Sequence, residues 1–66
     1  MKTINDVAAI LSNRRKELNL EQSDMYMRIG MKQQQYQRVE AGNDVRLSTF
    51  LRILEGLDLE MDLHPI

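Results

Sequence analysis

A mostly α-helical domain of four helices, followed by one short β-strand, is the fold class that three features of the sequence predict. Apolar residues recur at helical spacing through most of the 66 residues. Cap residues and glycine stops divide that pattern into segments of ordinary helix length. Only the last stretch, Gly56 to Leu63 (GLDLEMDL), switches to strict alternation of leucine or methionine with an acid, the pattern of a half-buried strand.

The first helix starts at Thr3, a good N-cap, with Asp6 placed to favour the helix dipole. Ile4, Val7, Ala8, Leu11 and Leu18 keep helical register, with Arg15 on the same side, and Asn19 suits the left-handed position after the helix. A second, short helix is expected from Gln22 to Ile29, with Met25 and Ile29 inward and Gly30 ending it. A third is expected from Gln33 to Ala41, with Tyr36 and Val39 inward and Gly42 as its stop. Asn43 to Arg46 form a polar loop. Ser48 is the expected cap of a fourth helix whose buried stripe is Leu47, Phe50, Leu51 and Leu54 and whose end is Gly56. The strand spans 57–63 and closes at Pro65, which cannot donate to a ladder. The whole chain, 1–66, reads as a single domain with 57–63 as a dimerisation strand.

Composition narrows the function. A chain this short buries only about 60% of its unfolded surface, so association with another chain is expected to complete the core. With no cysteine and one histidine, His64, neither disulfides nor a metal site are expected, and no cofactor. No catalytic residue is expected either, because the sequence offers no nucleophile–base pair and no glycine-rich phosphate loop. No apolar run approaches the roughly 18–20 residues of a membrane span, and MKTINDV lacks the apolar core of a signal peptide. A soluble, cytoplasmic protein is the expectation. Residues 1–52 hold nine Lys/Arg against six Asp/Glu, whereas residues 53–66 hold four acids and no base. A basic body can meet a polyanion on one face; ordinary solvated charge accounts for the same totals.

The second and third helices are separated by Gly30, Met31 and Lys32, the short glycine-containing turn of a helix-turn-helix, a pattern shared by αα-hairpins with no nucleic-acid role. The segment Lys32 to Arg38 reads KQQQYQR. With Tyr36 and Val39 inward, Gln34, Gln37 and Arg38 point nearly opposite, with Gln33 and Gln35 on the flanks. Glutamine can pair with the N6/N7 edge of adenine and arginine with the O6/N7 edge of guanine, and a recognition helix offers its N-terminal residues to base edges. The alternative is that glutamines are simply soluble helix formers. Gln22, Lys32, Gln35, Asn43 and Arg46 are placed to meet phosphates, which fix position rather than sequence.

These residues together resemble the Cro/C1-type (XRE) helix-turn-helix domains, over residues 4–57. Leu20 and Gln22 match the opening of the family's second helix, Gly30 its turn, Tyr36 and Val39 its inner positions, and Glu40 with Gly42 its closing Glu-x-Gly. Within that family the sequence is most similar to HipB-type antitoxins, through Ile29, Gly30, Lys32 and Gln33 and through LSTFLRILEGLDLEMDL. The resemblance implies a lambda-repressor-like fold and double-stranded DNA as a partner. It implies base reading by Lys32, Gln33 and Gln34, with Arg38 at another groove-facing position, and phosphate contact by Gln22 and Ser23; Gln37, on the same exposed face, is expected to read bases with them. It also implies an ion pair between Arg15 and Glu40, and a HipA-type kinase toxin as a further partner. The function implied is a sequence-specific repressor and antitoxin. A stand-alone phage-type regulator, and a protein-interaction module that neutralises a toxin with little DNA binding, are the alternatives. The sequence departs from the family in having Glu21 and Lys32, rather than Ser or Thr, at the caps of the second and third helices.

A lone strand leaves one edge of backbone unpaired, and its nearest available neighbour is its own copy across a two-fold axis. Leu57, Leu59, Met61 and Leu63 are the expected homodimer interface. Asp58, Glu60 and Asp62 then face one another. If Glu60 lies on the axis, every opposed pair is acid on acid; if Met61 does, Asp58 meets the partner copy's residue 64.

Overall fold

Thr3 and Asp6 open the first helix by satisfying each other's backbone. The Thr3 hydroxyl accepts from the Asp6 N–H at 3.1 Å, and the Asp6 carboxylate accepts from the Thr3 N–H at 3.2 Å. The computed structural model describes residues 3–66, which fold as α1 (Ile4–Glu17), α2 (Asp24–Ile29), α3 (Gln33–Glu40) and α4 (Leu47–Gly56). α1 packs on α3, and α2 packs on both α3 and α4. Leu11, Met25, Met31, Tyr36, Ile53 and Leu57 are wholly enclosed between them. No helix among the described residues is long and apolar enough to cross a membrane.

Three helices end the same way. Asn19, Gly42 and Asp58 each adopt a left-handed backbone, with φ of 59°, 89° and 54°. The amides that follow bond back across the last turn: Leu20 to Arg15 O at 3.1 Å, Asn43 to Arg38 O at 3.1 Å and Leu59 to Leu54 O at 2.8 Å. These are Schellman caps, which satisfy carbonyls that the helix leaves without a partner. Asn19 and Gly42 take the roles expected of them.

Asp58 corrects the expected end of the fourth helix. Gly56 is still helical, and its small size serves a close approach instead: a Cβ there would sit 2.6 Å from Ile29 Cγ2. The start of α4 is also different. Arg46 occupies the cap position, with no side-chain bond, and Ser48 lies inside the helix. Its buried side is Ile53 and Leu54, extended by Leu57 and half-covered Phe50, while Leu47 and Leu51 are 64% and 45% exposed. The expected stripe was rotated about the helix, because a leucine-rich segment has apolar residues on both sides.

The C-terminal strand is not formed in the single chain. Among the described residues there is no strand, and from Leu59 onward the chain has no regular secondary structure. The left-handed Asp58 breaks any pleat that would begin at Leu57. Leu57 and Leu59 both turn inward because a Schellman cap brings the residue after the left-handed one onto the last helical turn.

Candidate nucleic-acid interface

The turn between α2 and α3 fixes the exposed face of α3. Gly30 ends α2 with φ 70°, its N–H bonded to Tyr26 O at 2.8 Å. Met31, which sequence reading left as part of a loop, is 1% exposed and anchors the turn in the core. From that anchor, Tyr36 and Val39 face inward and Gln33, Gln34, Gln35, Gln37 and Arg38 are all exposed. Lys32 stands at the N-cap with no side-chain cap bond. The first turn of α3 therefore presents free backbone N–H groups, an ammonium and neighbouring amides on one surface.

The loop after α3 continues this surface. Gln35, Arg38, Asn43 and Arg46 line one open cleft of about 640 Å³ with Asp44 as its lone acid. Asn43 donates its side-chain amide to Arg38 O at 3.1 Å, so one of its two N–H groups is committed to holding the end of α3. Ser23 is exposed at the start of α2. Glu21, the departure from the family pattern, contributes its backbone N–H to the Asp24 carboxylate at 2.7 Å. The helix itself begins at Asp24 rather than at Gln22, with Ser23 at its cap position making no side-chain cap bond, so this bond holds the turn that leads into α2.

The cations sort into two groups. Arg14 donates to Leu57 O at 2.9 Å, Arg28 to Gly56 O at 2.6 Å, and Arg52 to Ile29 O, each covering a carbonyl at the end of another helix. Arg15 is buried in an ion pair. Among the described residues the other cations are Lys16, Lys32, Arg38 and Arg46, and their side chains have no protein partner. All but Lys16 lie on α3 or its flanking loop. Sequence reading did not find the three capping arginines. Their signal is three-dimensional, because each pairs residues at least 23 positions apart.

Arg15 and Glu40 form the expected pair, with bonds of 2.7 and 3.1 Å and side chains 9% and 6% exposed. Arg15 also donates to Leu20 O at 2.7 Å. Burial disfavours the charged Glu40 carboxylate. Bonds from Arg15 and Gln22, with the Tyr36 hydroxyl close by, outweigh it, leaving its pKa below the usual value. The hydrogen bond to Glu40 raises Arg15 in turn. Burial, with Glu40 alongside, pushes the Tyr36 phenol well up. The Tyr36 hydroxyl lies beside this pair but makes no hydrogen bond of normal geometry. Gln22, half-buried, donates Nε2 to Glu40 Oε1 at 3.2 Å, a bond that sequence reading missed.

Of the residues expected at a dimer seam, Leu57 is wholly enclosed in the chain's own core and Leu59 is packed against it. Met61 and Leu63 are 38% and 82% exposed. Among the described residues no group of three or more His, Cys, Asp or Glu is gathered as metal ligands.

The helix-turn-helix (HTH_3) family matches residues 11–64. No curated protein sequence matches the chain. Solved structures do match, among them two that contain HipB. The HipA-HipB-O2-O3 complex matches at 27% identity and a TM-score of 0.88, over 98% of this chain and 93% of that one. The HipB-O4 20mer complex matches at 27% identity and a TM-score of 0.89, over the same shares, 98% and 93%.

Proposed function

The chain belongs to the helix-turn-helix family, of the Cro/C1 (XRE) type, and from that premise we propose that it is a homodimeric, sequence-specific DNA-binding repressor. We further infer that it is the antitoxin of a HipBA-like toxin–antitoxin pair. The observation that carries the DNA-binding part is the division of the cations. Four arginines are used inside the fold, while Lys32, Arg38 and Arg46 are left without partners on the face that bears the glutamines. The antitoxin part rests on the likeness to HipB in a complex that includes HipA.

In this reading α3 lies in the major groove. Lys32, Gln33, Gln34, Gln37 and Arg38 meet base edges, and Gln22, Ser23, Gln35, Asn43 and Arg46 meet phosphates. The tail from Leu59 pairs with its copy, placing Met61 and Leu63 in the seam over Leu59, with Leu57 supporting it from the core. Two-fold symmetry then sets two half-sites about 34 Å apart. Bound there, the dimer blocks transcription by occupancy.

Selection from a randomised duplex pool tests this. The expected outcome is a near-palindromic site. Enrichment of no common sequence overturns the sequence-specific reading, and co-purification from the native host without a kinase-like protein counts against the antitoxin part.

A further inference from the structure

We propose that Glu40 is a positioning residue that orients the Gln22 amide toward the DNA backbone; this rests on the reading of Gln22 as a phosphate contact. A carboxylate accepts hydrogen bonds and cannot donate them. Glu40 is fixed by two bonds from Arg15, and its Oε1 also takes Gln22 Nε2 at 3.2 Å. That bond selects one of the two orientations of the amide. With Nε2 turned to Glu40, one N–H is used inward, and the other, about 120° away on the same nitrogen, is left to donate outward. The opposite orientation would set the amide oxygen against the carboxylate.

The selection matters because a phosphate oxygen also only accepts. An untethered glutamine rotates about its last torsion and presents its carbonyl as readily as its NH₂. Glu40 removes that freedom without adding net charge at the surface, because Arg15 neutralises it in a shielded position. The chain thus links α1, through Arg15, to the end of α3, through Glu40, and on to the start of α2, through Gln22. These are the segments whose relative placement a DNA backbone would sense.

A random-sequence duplex suffices as probe, since phosphate contacts do not depend on sequence. Affinity is measured for the intact chain, Gln22→Ala, Glu40→Gln and the double variant. The proposal expects each single change to lower affinity about tenfold, as for a hydrogen bond to a charged group, and the double variant to be no weaker than Gln22→Ala. If Gln22→Ala binds as well as the parent, the phosphate reading itself fails and the proposal with it. If Gln22→Ala weakens binding but the losses multiply in the double variant, only the positioning role is overturned. Should Glu40→Gln fail to fold, NMR of the unaltered chain decides: the Gln22 side-chain NH₂ pair is expected to be widely split, with one proton shifting on duplex addition. Averaged, free-amide resonances overturn the proposal.

Discussion

At Glu40, burial and pairing pull in opposite directions, and pairing wins. Removing Arg15 would leave a carboxylate 6% exposed with its main partner gone. Arg15→Ala is therefore expected to cost about 3–5 kcal/mol in chemical denaturation; a loss below about 1 kcal/mol would mean that the pair behaves as an exposed one. The pH dependence follows from the same group. Glu40 is lowered in the fold relative to its unfolded value near about 4.3. Its contribution is fully present above that value and is lost as the pH falls through the lower, folded one. Melting temperature should drop on acidification below about pH 4.3, and Glu40→Gln should flatten that drop; an unchanged acid slope in the variant would assign it elsewhere. Tyr36 gives the opposite expectation. Its hydroxyl is buried without a proper bond, so Tyr36→Phe should leave stability unchanged or slightly higher. A loss of more than about 1.5 kcal/mol would show that the hydroxyl bonds Glu40 in solution.

At the scale of elements, α3 shows a local rule broken at the surface assigned to DNA. Lys32 occupies a cap position where Ser would accept a backbone N–H. Lys32→Ser should raise stability by about 1 kcal/mol in thermal melts while weakening DNA binding and reducing its salt dependence. A variant that is both more stable and equally tight would show that Lys32 takes no part. The inward side of α3 was legible because Tyr36 and Val39 are the only large apolar residues in a polar segment. α4 was not: leucines occur all round it, and which side is buried depends on where Ile29 and Met25 press against Gly56. The tail misled for a similar reason. A Schellman cap and a pleated strand both place leucines two apart inward, and Asp58, one of the few residue types that tolerates a left-handed backbone, could serve either pattern. The pairs Arg14–Leu57, Arg28–Gly56 and Arg52–Ile29 were invisible for want of any local periodicity. Among the site residues, the exposure of the KQQQYQR face could be read from the sequence, while the bond between Gln22 and Glu40 required the fold.

At the scale of the whole molecule, the monomer extends 36 × 21 × 20 Å and ends in a tail whose outer residues face solvent. Leu63 is 82% exposed, so Leu63→Asp should leave the single chain's fold intact yet shift light scattering from dimer to monomer. A variant that stays dimeric would remove Leu63 from the seam. The acids of the tail lie away from Lys32, Arg38 and Arg46 in the sequence, and their mutual repulsion in a paired seam would soften with salt. The claim on which all of this depends is that the glutamine face of α3 reads base sequence. Its most direct test is fluorescence anisotropy of the selected site and of a random duplex, with the parent chain and with Gln33→Ala/Gln34→Ala at one salt concentration. The predicted result is that affinity for the selected site falls to about the random-duplex level while random binding is unchanged; an undiminished preference for the selected site would contradict it.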